Sequence, residues 1–101
     1  IDSDFKPDDK LTAKGVDLYW KCFNCHGAKV IAKGMAPDLR ASPIVLNQSA
    51  FNSVVRDGVK ADMGMPAYKD FTDEDLVALR HYIRNQAYED MKKREEKAEE
   101  L

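Results

Sequence analysis

The sequence predicts an all-α chain, three principal helices joined by long loops. Apolar residues recur at helical spacing in two segments, Val16/Tyr19/Trp20 and Leu76/Leu79/Ile83/Ala87. No segment alternates as a half-buried strand would, and the stretches between carry Gly and Pro where a helix interior would not. At 101 residues the chain has the size of one small domain, whose core is marginal unless something else is buried in it.

The opening IDSDFKPDDK is acidic and holds Pro7 among turn formers, so residues 1–11 read as an extended lead-in that packs through Phe5. Thr12 then caps a first helix from about Ala13 to Lys21, with Val16 and Tyr19 facing inward and Trp20 beside them. From Gly27 to Leu46, Gly34, Pro37, Pro43 and several small residues without periodicity predict a loop that wraps something. Ser49 begins a short second helix, SAFNSVVRDG, which Gly58 stops. Between Val59 and Phe71, Gly64 and Pro66 rule out a helix interior, and Met63 and Met65 lie close together. Thr72 and Asp75 have the spacing of a capping box and open a long third helix, with Leu76, Leu79, Ile83 and Ala87 along one face. Beyond Tyr88 the chain is charged all round, with Glu89–Lys93 and Asp90–Arg94 at i,i+4 spacing. Residues 89–101 therefore read as a solvated helical tail that frays toward Leu101.

The net charge of −2 is unevenly spread. Residues 1–10 carry four Asp against two Lys and residues 89–101 six acids against four bases, so each end is −2 and the middle is +2. That balance is too weak for a nucleic-acid binder, and it leaves room for a protein partner with a modestly acidic patch. No apolar run approaches the roughly 20 residues that span a bilayer, so no transmembrane segment is expected. The chain opens on Ile1 without a basic-then-apolar leader, as a processed mature protein or an excised domain would.

Cys22-Phe-Asn-Cys25-His26 matches the C-x-x-C-H pattern of haem attachment. Two thiols at that spacing can each form a thioether to one vinyl group of the macrocycle, and the adjacent His26 is then held beneath the iron. A zinc site would need about four ligands, and His26 directly beside Cys25 is not at finger spacing. A thioredoxin-like pair expects a βαβ context that this sequence lacks. The second axial ligand is drawn from the methionines: a thioether is a soft donor that favours Fe(II) and raises the reduction potential. Met65 in Gly64-Met65-Pro66 is the first choice, because Gly lets the backbone approach the ring and Pro fixes the turn; Met63 is the alternative. Met35 and Met91 read as core fillers, and His81, offset from the apolar face, as a solvated or lightly packed imidazole. With both axial positions filled and no nucleophile–base pair in the sequence, the expected function is one-electron transfer rather than catalysis. An enzyme or gas sensor with a dissociable Met is the competing class, and a non-haem metal or redox-thiol domain the third.

From Thr12 to Ala87 the chain resembles a class I mono-haem cytochrome c domain, which places the domain at 12–88 and implies the cytochrome c fold around one covalent haem c and its iron. In that family a Gly and an aromatic of the first helix, here Gly15 and Tyr19, cross a last helix whose aromatic is here Tyr82. The resemblance implies that the Pro37 carbonyl accepts the hydrogen bond from the axial His ring while Leu39 packs on the haem. From Gly15 to Cys22 the spacing is one residue shorter than in most relatives, so the end of the first helix is expected to tighten or turn. The phrases CxxCHG, APDLRAS, FNSVVRDG, GMPAY and LRHYIRNQA are similar to the C-terminal cytochrome domain of quinohaemoprotein (PQQ-dependent) alcohol dehydrogenases. That likeness implies a haem propionate on Arg40 and Tyr68 covering the Met side of the haem. It also implies a periplasmic setting, a dehydrogenase domain or redox protein as electron donor, and another cytochrome or terminal oxidase as acceptor. Some of Lys29, Lys33, Lys60 and Lys69, in the loops flanking the cofactor, are expected to rim the docking edge.

Overall fold

The computed structural model describes residues 5–22, 39–41, 43–60 and 65–99. Among them are three α-helices, here α1 (Asp9–Tyr19), α2 (Gln48–Val55) and α3 (Asp73–Glu99), with short 3-10 turns at Leu39–Ala41 and Pro43–Leu46 and no strand. The chain is mostly helical, as an all-α cytochrome c fold requires.

Helix α1 starts earlier than the sequence suggests. Asp8, not Thr12, is its N-cap: the carboxylate accepts the N–H groups of Lys10 and Leu11, each at 3.0 Å. An Asp ahead of a helical run caps at least as well as Thr, so residues 9–11, expected in the lead-in, join the helix. The preceding residues still pack through Phe5, which is buried between the rings of His81 (4.9 Å) and Tyr88 (5.4 Å), with the Arg84 guanidinium 5.0 Å from its centroid.

The inward face of α1 is Gly15 and Tyr19. Val16 and Trp20, expected to face inward or beside the core, are 49% and 63% exposed. The helix crossing decides this rotation. A Cβ on Gly15 would overlap the Ala78 carbonyl oxygen and the Tyr82 Cβ, so α1 and α3 touch backbone to backbone there. Residues one position further on are turned about 100° away. Tyr19 then meets Tyr82 with ring centroids 5.1 Å apart. Past the C-cap Trp20, the Cys22 N–H donates to the Tyr19 carbonyl at 2.7 Å, an i→i−3 bond that tightens the end of the helix as the short Gly15–Cys22 spacing anticipates.

Helix α2 is capped by Asn47, whose side chain accepts the Ala50 N–H at 2.9 Å, so it begins ahead of the expected Ser49. It buries Phe51 and Val55, and Gly58 follows it at φ 75°, the left-handed conformation that Gly adopts at no steric cost. Helix α3 has the expected capping box. The Thr72 N–H donates to Asp75 at 3.0 Å and the Asp75 N–H to Thr72 Oγ1 at 3.1 Å. The first of these bonds, more than the Lys14 ion pair at 3.5 Å, holds the Asp75 carboxyl below its usual range. Leu76, Leu79 and Ile83 are almost fully buried, whereas residues 92–99 continue the helix with every side chain exposed.

One core joins these pieces: Tyr19, Cys22, Val45, Phe51, Val55, Phe71, Leu76, Leu79, Tyr82 and Ile83. Arg80 ties the second 3-10 turn to α3 through a 2.6 Å bond from Nε to the Val45 carbonyl. His81 departs from expectation. It is 7% exposed, and its Nε2 accepts the Asp8 N–H at 3.0 Å. The lead-in needs a wall for Phe5 and an acceptor for its backbone, and His81 provides both. No helix among the described residues is long and apolar enough to cross a membrane.

Candidate haem-binding site

Cys22, Leu39, Arg40, Met65 and Tyr68 lie among the described residues; Cys25, His26 and Pro37 lie outside them, as do Met35, Met63, Lys29 and Lys33. Cys22 is buried at the tightened end of α1 and belongs to the core itself. Leu39, Met65 and Tyr68 are partly buried and pack against that same core. The sequence places these residues on three separate segments, and the fold gathers all of them on one apolar cluster.

The segment carrying Met65 is held by discrete bonds rather than by a helix or ladder. Met65 N–H donates to the Lys60 carbonyl at 3.3 Å and Tyr68 N–H to the Val55 carbonyl at 2.8 Å. Tyr68 Oη donates to the Lys21 carbonyl at 3.1 Å, and the Tyr68 ring stacks on Phe71 with centroids 5.5 Å apart. Arg40 is half-buried and pairs with Asp90 of α3 at 3.5 Å; Asp90 also meets Arg94 at 3.2 Å. Lys69 is exposed and Lys60 half-buried. Burial pushes the Tyr82 phenol up.

The donor chemistry fits a haem. Two sulfur side chains, one thiol-bearing and one thioether, stand on a cluster of aromatic and aliphatic groups, which suits a flat apolar macrocycle. Among the described residues no three His, Cys, Asp or Glu side chains converge as an all-protein metal cage would. Sequence reasoning missed the backbone carbonyls of Lys21 and Val55 as anchors, since no side-chain pattern marks an acceptor. It also missed Asp90 as the partner of Arg40. In the sequence Asp90 shows only its i,i+4 spacing to Arg94.

Helices α1 and α3 cross at Gly15, with buried Cys22 at the end of α1, the arrangement that the resemblance to a cytochrome c domain implies; such a domain is an electron-transfer module that carries haem c and its iron. The chain belongs to the cytochrome c family: the family model described as "Cytochrome C oxidase, cbb3-type, subunit III" matches residues 11–83. It is 33% identical over 78 residues to "Quinohemoprotein alcohol dehydrogenase ADH IIB" of Pseudomonas putida, a match covering 75% of this chain and 11% of that protein. It is also 33% identical over 78 residues to "Alcohol dehydrogenase (quinone), dehydrogenase subunit" of Acetobacter aceti, covering 75% of this chain and 10% of that protein. The chain thus spans about a tenth of the length of these curated relatives. No solved structure matches it significantly.

Proposed function

We propose that Cys22 and Cys25 hold the haem covalently, that His26 and Met65 are its axial ligands, and that the domain is a one-electron carrier, freestanding or part of a PQQ-dependent dehydrogenase. The observation that carries this reading is the packing of Met65 on the same core that buries Cys22. Bound haem supplies a single electron that moves on and off the iron.

The protein's own residues supply the rest. The tight turn from Tyr19 to Cys22 fixes the backbone at the end of α1 from which the first attachment cysteine would reach the haem. Leu39 and Tyr68 contribute apolar wall that keeps water from the ring. The Pro37 carbonyl would accept from the His26 ring and so set its orientation. Arg40 would bond a propionate, and its pairing with Asp90 keeps the guanidinium from contributing a full unbalanced charge. A thioether from Met65 favours the reduced iron and sets a raised potential suited to an electron carrier.

The domain proper is residues 12–88, with 1–11 and 89–101 as flanking segments. The setting is the periplasm. Electrons arrive from a dehydrogenase domain or redox protein and leave to another cytochrome or terminal oxidase across a lysine rim that includes Lys60 and Lys69, together with Lys29 and Lys33. Met65→Ala tests the ligand set. It is expected to abolish the weak red-edge absorption of Fe(III)–S bonding and to lower the potential, while Met63→Ala does neither. The reverse result transfers the role to Met63.

A further inference from the structure

We infer that Tyr68 is a positioning residue for Met65, fastening the segment that carries the thioether to the chain that carries Cys22. The inference rests on the reading of Met65 as an axial ligand. Residues 65–71 lie between helices, so a few individual bonds decide where they sit. Tyr68 makes two of them, in different directions. Its N–H reaches the Val55 carbonyl at the end of α2 (2.8 Å), and its phenol reaches the Lys21 carbonyl (3.1 Å), one residue before Cys22.

Lys21 follows the C-cap Trp20, so its carbonyl lies beyond the intrahelical bonds of α1 and can accept from elsewhere. The same residue meets the segment a second time, with its Nζ 5.1 Å from the Phe71 centroid; Phe71 in turn stacks on Tyr68 and returns its N–H to the Tyr68 carbonyl at 3.2 Å. The phenol is thus a clasp between the two stretches that bear the sulfurs. Movement of residues 65–71 as a unit away from the core would break that clasp or drag the end of α1 with it. Tyr68 therefore controls how often the sixth coordination position opens. Local opening of this kind is set by the few bonds that hold a segment, not by global stability alone.

The test uses the ferric holoprotein, with imidazole as the incoming ligand. At saturating imidazole the binding rate reports the opening of the Met65 segment. Tyr68→Phe keeps the ring and its stacking and deletes the phenol bond to Lys21, so the saturating rate is expected to rise roughly fivefold, the change that one net hydrogen bond produces. A phenol with a merely structural role would lower the denaturation midpoint and leave this rate at the wild-type value, which would overturn the inference. Met65→Ala separates the two readings. If the red-edge thioether absorption depends on Met65 but Tyr68→Phe leaves the rate unchanged, only the clasp is wrong. If that absorption survives Met65→Ala, the ligand assignment is wrong and the clasp falls with it.

Discussion

His81 accepts a backbone N–H through Nε2, and only the neutral ring can do that. Burial is the largest influence on the ring and pushes its pKa below the usual 6.5; the Asp8 carboxylate opposes that shift, and Arg84 and Arg80 add to it. Because the folded value lies below the unfolded one, the His81 contribution is fully present above pH about 6.5 and is lost as pH falls through the folded value. Denaturant titrations of the holoprotein should therefore show wild type losing stability relative to His81→Phe as pH is lowered from 7.5 to 4.5; a constant difference would contradict the assignment. At this scale the site was unevenly legible. The C-x-x-C-H spacing of Cys22, Cys25 and His26 can be counted in the sequence, because thioether attachment and axial ligation would demand a fixed local spacing; of the three, Cys22 lies among the described residues. The partner of His81 is 73 positions away, a separation that no local pattern encodes, and so the sequence suggests a solvated or lightly packed ring.

Helix α1 shows which element properties are written locally and which are imposed. Its end tightens because the Gly15-to-Cys22 span is short, a length that can be counted in the sequence. Its rotation is imposed from outside: backbone contact at Gly15 selects Tyr19 for the interior and turns Val16 and Trp20 to solvent, although all are apolar. Hydrophobic spacing alone could not rank those residues. The capping box of α3 was legible because Thr72 and Asp75 satisfy each other within one turn. Gly15→Ala tests the crossing. A methyl there must displace backbone at Ala78, so the holoprotein should lose about 1–3 kcal/mol in chemical denaturation, the range for overpacking a tight site. An unchanged midpoint would mean that the helices can part cheaply.

Across the whole molecule, a bound haem would add apolar contact to the one core that the described residues form. Those core residues come from the end of α1, from α2 and α3, from the Pro43–Leu46 turn and from Phe71 ahead of α3, and the α3 continuation beyond residue 91 adds exposed charge but no buried surface. Removing a haem takes away apolar contact worth about 25 cal/mol per Å² buried, a large loss for a domain this small. The polypeptide expressed without haem is expected to show little helical circular dichroism; a cooperatively unfolding, helical apoprotein would contradict that dependence. The loop expected over 27–46 lies mostly outside the described residues. The central claim is that the haem is bonded to Cys22 and Cys25, and denaturation in acid acetone followed by intact-mass measurement tests it most directly. The account predicts that the haem stays in the protein precipitate and that the chain carries the added mass of one haem, reduced or lost in Cys22→Ala and Cys25→Ala; haem released into the solvent, with the polypeptide at its unmodified mass, would contradict it.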